Sequence, residues 1–447
     1  EGVWNSAENS EIAILMCGTI CKHAMDVFDS LDKVRVSMDS FKLIIQCIKE
    51  AIIVTGLTSQ KEQCDKLVCK LSDLVGFGDA NTFPLTLPDS MRVEAFKSLV
   101  DITLKHPNLV HGAWTHVFRC LSRAQYFALH GSEVEVMRKF DRIAYDMAYN
   151  KRSGMSQLLI FFEAEGLQLI DQLFSGSGNM TGQTIVMFVS AMCAVSREEL
   201  EEPIFAGLEL ILLQRLVETV HHNLNRIRMV WSRLWAATST HLIGAGCEDS
   251  VEIAMYSIDA LRQIVFKLLE HQELSNFKFQ EEALKPFAAI MRQCELNQVH
   301  VFAIQCILQV VSAHNARLQS GWRSILCCVK IALRNEAVEV VDAALHILKQ
   351  SWSEPQIVAS DHLFGELKGC FLELMAHGNH VEHQSKAIEI VKDGVAIILD
   401  GLSEKDEGLE VIQLLCNMGR TALDHGKSCY HVAYQALFGL LARPGLK

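Results

Sequence analysis

Apolar residues recur along almost the whole chain at steps of three and four. They fall at Val93, Phe96 and Val100; at Ala254, Ile258, Leu261, Val265 and Leu268; and at Val301, Ile304, Leu308 and Val311. The series resumes at Val338, Val341, Leu345 and Leu348, and again at Ile388, Val391, Val395 and Ile398. Such spacing lays each set along one face of a helix, and that face must be buried against a neighbour. No comparable period-two run appears, so the expected fold is all-α.

The predicted helices come in pairs joined by short polar turns. First members begin near Ser250, Asn297, Asn335 and Glu382, at intervals that bracket the ~40–47-residue period of HEAT and armadillo repeats. The expected architecture is therefore an α-solenoid of antiparallel helix pairs. Asp249 and Glu252 offer a capping box for one of these helices. Trp114, Trp231 and Trp322 each open the second helix of a pair, where a large buried ring would lock one hairpin against the next. Three breaks stand out: Gly76–Pro88, Ser175–Gln183 and Ser351–Pro355. Periodic sequence resumes on both sides of each, so they are expected to be loops along a continuous array rather than flexible linkers.

Composition sharpens this picture. The 447 residues are half apolar, enough for about three domains or one elongated repeat array. Formal charge is −12, which argues against nonspecific nucleic-acid binding. The longest uncharged stretch, Ser175–Ser196, is mainly apolar only over Ile185–Val195, too short to span a membrane. A loop and a buried helix are expected there, in a soluble or peripheral protein. The chain starts at Glu1 without a signal-peptide pattern, and the absent Met points to a fragment or a processed start. Fifteen cysteines, an odd number, lie mostly in hydrophobic runs, among them Cys47, Cys120, Cys193, Cys306, Cys327 and Cys416. Reduced, buried thiols are expected.

No catalytic set emerges from the spacing. Cys17 and Cys21 share a helical face but lack the further ligands of a closed zinc site. The adjacent His221 and His222 would point about 100° apart on a helix and cannot share one metal. No phosphate loop is present, and the Gly176–Gly178 pair has no strand before it. The acidic run Glu198, Glu199, Glu201 and Glu202 is expected to solvate a helix end. Arg226, Arg228 and Arg233 leave two readings open: contact with an acidic partner or lipid phosphate, or pairing with Asp259 or Glu270 on a neighbouring helix. No cofactor or metal is expected.

One ordered series of residues carries a family resemblance. It runs through Asn225, Arg226, Ile227, Arg228 and Trp231; Trp235 and Gly246; Asp259, Leu261, Arg262 and Gln263; and Glu273, Asn276, Phe277, Phe279 and Gln280. It ends with Leu284–Phe287, Ile290 and Met291, and Ser320, Gly321 and Trp322. The series resembles the homology-downstream region of the large, brefeldin-A-inhibited Arf guanine-nucleotide exchange factors. Residues 11–125 look more loosely like the first downstream segment. The chain departs from the family at Gln298-Val299-His300 and at Arg317-Leu318-Gln319. No Phe-Arg-Leu-Pro-Gly-Glu motif is present, and the one Pro-Gly, Pro444-Gly445, is followed by Leu446.

The resemblance implies three helical segments, 1–150, 151–355 and 356–447, the last a candidate third downstream segment. It implies a regulatory scaffold, not an enzyme in itself, that binds GTP-loaded Arf and extends to Rab-type GTPases. It implies residence in the cytosol and peripherally on trans-Golgi membranes, and leaves room for a homodimer through the full-length protein. Candidate partner or structural residues are Arg226, Arg228, Trp231, Asp259, Arg262, Phe277, Gln280, Ser320, Gly321 and Trp322. Asp259 and Arg262 can pair locally, Gly321 permits close helix approach and Trp322 fills a groove. The alternative is a Golgi scaffold of the Mon-two type with no exchange domain. An α-solenoid enzyme would need a pocket of perturbed acids and bases at which the spacing does not hint.

Overall fold

The computed structural model describes residues 10–29, 36–77, 87–131, 157–201, 210–273, 278–352, 354, 357, 360–378, 380–401 and 405–441. Among these residues there are helices and turns and no strand. The chain divides into two compact units, residues 1–238 and 239–447. Each is a stack of antiparallel helix pairs, so the all-α, HEAT-like expectation holds. Phe277, Asn276, Glu202, most of the Gly76–Pro88 loop and the Pro444-Gly445 pair lie outside the described residues.

The first unit opens with α1 (Ser10–Asp29), α2 (Met38–Leu57), α3 (Lys61–Val75), α4 (Asp89–Lys105) and α5 (Trp114–His130). Helix α6 (Gln157–Phe161) passes through a π-turn into α7 (Leu167–Ser175), followed by α8 (Gly182–Glu201) and α9 (Ile211–His222). Helix α10 (Arg228–Ala245) carries the boundary between the units. Helix α3 ends on Gly76, whose φ of 82° is the left-handed conformation glycine adopts freely. The turn is pinned by Arg92 Nε, which donates to the Val75 carbonyl at 2.9 Å.

Aromatic rings from distant positions gather in this unit's core. Trp114 packs edge-on to Phe188 at 4.8 Å, Phe118 meets the same ring at 4.7 Å, and Phe96 meets Phe162 at 4.8 Å. Phe188 thereby joins α8 to α5. Edge-to-face contacts of this kind add about 0.5–1.5 kcal/mol each beyond area burial, so a chain with few aromatics has concentrated several at one joint.

The second unit shows the repeat most plainly. Helices α11 (Val251–Leu268), α13 (Asn297–His314), α15 (Val338–Ser351) and α17 (Val381–Gly401) pack in succession as one layer. Helices α12 (Phe279–Gln293), α14 (Gly321–Ala332), α16 (Asp361–His377) and α18 (Lys405–Asp424) form the other. Helix α19 (Tyr430–Leu441) closes the chain against α17 and α18. Residues 297–317 are long and apolar enough to cross a membrane. Here α13 packs between α11 and α15, with Val299, Ile304, Ile307 and Val311 buried, as a core helix does.

Several local expectations are corrected. The cap of α11 is Ser250, not Asp249: its hydroxyl accepts from the Ile253 amide, one residue later than the expected box. Cys47 and Cys416 are exposed and Cys327 half-buried, whereas Cys120, Cys193 and Cys306 are buried. A cysteine inside an apolar run can still point outward when its turn of helix faces solvent. Glu199 does not solvate a helix end. It is 3% exposed and accepts from Ser122 Oγ and, at 3.1 Å, from the Leu212 amide. Beside it Glu198 takes both forks of Arg119, at 2.6 and 2.7 Å. The pair ties α8 to α5 and α9.

Candidate functional site

The densest polar arrangement of the second unit lies where α12 and α14 begin. The first turn of any helix leaves amides without intrahelical acceptors. Here the two helices satisfy each other. Glu273 accepts from the Gln280 amide at 3.1 Å, from the Ser320 amide at 3.0 Å and from Ser320 Oγ at 2.6 Å. Ser320 Oγ in turn accepts from the Glu281 amide at 3.1 Å. One carboxylate therefore sits at two helix N-termini, where the aligned peptide dipoles favour negative charge.

Gln280 completes the node from below. It is 1% exposed; its Nε2 donates to the Arg317 carbonyl at 2.9 Å, and its Oε1 accepts from Gln319 N at 2.7 Å. Gly321 permits the approach, because a Cβ there would lie 2.9 Å from Leu284 Cδ1 and 3.3 Å from Gln280 Cβ. Trp322, fully buried, follows immediately. Thus Gln280, Ser320, Gly321 and Trp322 are brought together by the fold.

The other candidates lie elsewhere. On α11, Arg262 holds Asp259 Oδ1 at 2.6 and 2.8 Å, and Gln263 holds Oδ2 at 2.7 Å. The Arg262 guanidinium also rests 5.4 Å over the Phe266 ring. In the first unit Arg226 turns inward to backbone carbonyls, of Met180 at 2.6 Å, Gly178 at 2.8 Å and Ser177 at 3.1 Å, and to Asn223 Oδ1 at 2.9 Å. It closes the turn before α8 rather than meeting the carboxylate anticipated on a neighbouring helix. Arg228 and Arg233 are exposed. Trp231 stacks on Trp235 with centroids 5.9 Å apart.

Spacing had not revealed the cavity that opens beside the Glu273 node. It measures about 420 Å³ and is lined by Glu273, Lys278, Glu281, Gln319, Ser320, Arg323, Ser360, His362 and Leu363. The lining includes the residues that precede α12, α14 and α16, namely Lys278, Ser320 and Ser360. The one signal in the sequence is the repeat itself, which sets these three positions about one period apart.

No group of three His, Cys, Asp or Glu placed for a metal occurs among the described residues. Cys17 and Cys21 approach to 3.8 Å, Sγ to Sγ, as a pair. Burial, and then the neighbouring Cys17 thiol, pushes Cys21 up to about 11, so it is an inert thiol at neutral pH.

Comparison with known proteins places this node. Residues 267–350 match the family described as Mon2/Sec7/BIG1-like, HDS, and that span contains Glu273, Gln280 and Ser320–Trp322. The chain is 26% identical over 353 residues to brefeldin A-inhibited guanine nucleotide-exchange protein 4 of Arabidopsis thaliana, covering 69% of this chain and 20% of the relative. It is 26% identical over 337 residues to brefeldin A-inhibited guanine nucleotide-exchange protein 1 of Bos taurus, covering 69% and 18%. The chain thus spans about a fifth of the length of these relatives. A solved circular tandem repeat protein overlays 97% of the chain at a TM-score of 0.34 and 14% identity; the fold assignment rests on the helices themselves. The chain is similar to the non-catalytic, homology-downstream part of the brefeldin A-inhibited exchange proteins, with the family's segment lying across the α12–α14 node.

Proposed function

We propose that this chain is a regulatory scaffold region of an Arf guanine-nucleotide exchange factor acting in Golgi vesicle traffic. In this reading it docks activated small GTPases, Arf-GTP first and Rab-type GTPases as well, and controls membrane recruitment and autoinhibition. It does not exchange nucleotide by itself. The observation that carries the reading is the family match over residues 267–350. The three segments 1–150, 151–355 and 356–447 are part of the same proposal.

The polar residues of the matched motif are spent on one another, which supports a structural role for Gln280 and Ser320–Trp322 and moves the search for a docking surface elsewhere. The N-terminal helices supply one. Leu15, Met16 and Ile20 on α1, and Leu43, Val54 and Leu57 on α2, are exposed apolar side chains. Leu43, Val54 and Leu57 fall along one stripe of α2 at helical steps. GTP-dependent docking follows from differential affinity: an ordered switch region buries such a stripe and a disordered one does not.

Flotation of the chain with liposomes carrying Arf loaded with GTP or GDP tests this. Recruitment by the GTP form alone is expected, and is expected to be lost when Leu43→Asp and Leu57→Asp are combined. Equal recruitment by both forms, or by neither, refutes Arf sensing. The family's description also covers Mon2, which favours a second reading, a Golgi scaffold with no exchange domain. The sequence preceding Glu1 in the full-length protein separates the two.

A further inference from the structure

The cavity beside the Glu273 node has a chemistry of its own. Its two carboxylates already have partners. Glu273 is engaged by two backbone amides and the Ser320 hydroxyl, and Glu281 is shared between Arg323 at 3.4 Å and Lys285 at 3.8 Å. What remains unspent is cationic or donating. Among the described residues, the Lys278 and His362 side chains have no hydrogen-bond or ion-pair partner, and Arg323 commits only one guanidinium nitrogen. Asp361, the neighbouring acid at the start of α16, is exposed and does not line the space. The cavity falls within the usual size range of small-ligand sites, ~300–1,000 Å³.

We propose that this cavity binds the phosphate groups of a small phosphorylated ligand. Lys278 and His362 supply donors from the repeats on either side of α14. Arg323 lines the same space with guanidinium nitrogens to spare, and a guanidinium fork matches phosphate oxygens in pairs. The start of α16, which Glu273 does not cap, adds partial positive charge at the rim. Glu273 repels the ligand little, because its charge is already compensated by the two helix starts it caps. The same chemistry is presented by a soluble inositol phosphate and by a phosphoinositide headgroup. The inference stands apart from the GTPase reading, which concerns the exposed stripe of the first unit.

The test uses the full chain, titrated calorimetrically with inorganic phosphate and with an inositol trisphosphate, and in parallel floated with phosphatidylcholine vesicles with and without a phosphoinositide. Three variants are compared: Lys278→Gln, the double variant Lys278→Gln with Arg323→Gln, and the control Lys349→Gln, an exposed side chain of α15 outside the cavity lining. All are substitutions of exposed side chains, and unchanged circular dichroism verifies folding. Saturable binding that the double variant weakens about tenfold or more, while Lys349→Gln leaves it intact, supports the site. Binding of the soluble ligand identifies a free phosphate ester as the source, and binding to vesicles alone identifies the headgroup. Absence of binding in every arm overturns the proposal. So does binding that the double variant leaves unchanged, or that Lys349→Gln weakens equally.

Discussion

Replacing Glu273 by alanine removes a side chain that three donors share. The Ser320 amide, the Ser320 hydroxyl and the Gln280 amide lose their acceptor together. A hydrogen bond to a charged group contributes ~1.5–3 kcal/mol when its partner is stranded without water. The node lies beside an open cavity, so water replaces part of what is lost, and the net cost is about 2 kcal/mol rather than the sum of three bonds. The damage is local to the starts of α12 and α14. With two compact units in the chain, a single melting curve would blur it. Hydrogen exchange resolved at the Ser320 and Gln280 amides is the appropriate assay, and ~30-fold faster exchange there is expected from that cost. Amides in the first unit should be unaffected. If Ser320 and Gln280 keep wild-type protection in Glu273→Ala, the carboxylate does not hold the two helix starts, and the account of the matched motif as a closed structural node is wrong.

Glu199→Ala should destabilise the first unit by about 2–3 kcal/mol, because it strands the buried Leu212 amide and Ser122 hydroxyl, and urea unfolding followed by exchange in α8 and α9 would show it. Arg226→Ala should loosen the turn before α8 by about 2 kcal/mol through its three carbonyl bonds, read as faster proteolysis between residues 175 and 183; Arg226→Lys should rescue it poorly, since an ammonium cannot reach the same forked set. Gly321→Ala forces a Cβ to within 2.9 Å of Leu284 and should cost about 1–3 kcal/mol by overpacking, measured as a lower urea midpoint of the second unit. Burial by itself would raise the Asp101 carboxyl, but hydrogen bonds from Lys105 and Lys49 hold it below its usual range. With the folded value depressed, its stabilisation is present above the ordinary carboxylate range and is lost as pH falls through the folded value. Lys49→Met should therefore move the onset of acid unfolding to higher pH, followed by circular dichroism.

The helices were legible because burial imposes a local rule. Each of α11, α13, α15 and α17 begins within a few residues of the position anticipated from Ser250, Asn297, Asn335 and Glu382. Burial of Trp114 and Trp322 was legible for the same reason. What local spacing cannot show is which distant residue a side chain meets. Glu199 looks like a solvated acid until Ser122, 77 positions earlier, closes over it. Arg226 looks like a cation for a partner or for a carboxylate on a neighbouring helix until the Ser177–Met180 carbonyls, some 46–49 positions away, absorb it. The Asp249 cap failed by a single residue, where aspartate and serine compete on nearly equal terms. The cavity escaped because its lining is contributed by successive repeats, none of which carries a recognisable ligand motif alone.

The regular interval between partners in the second unit bears on how such a chain can change over generations. Ser320 reaches Glu273 across 47 positions, Lys386 reaches Asp342 across 44, and Cys429 reaches Gln384 across 45. In these bonds each repeat is written in terms of its immediate predecessor. Residues inserted in a connecting loop leave this ruler intact. A single residue inserted within a helix rotates every later position by about 100° and breaks the match on both sides. Length variation among relatives should accordingly gather in the turns or arrive as whole helix pairs, so that a lineage can lengthen or shorten its array while retaining the α12–α14 node unchanged.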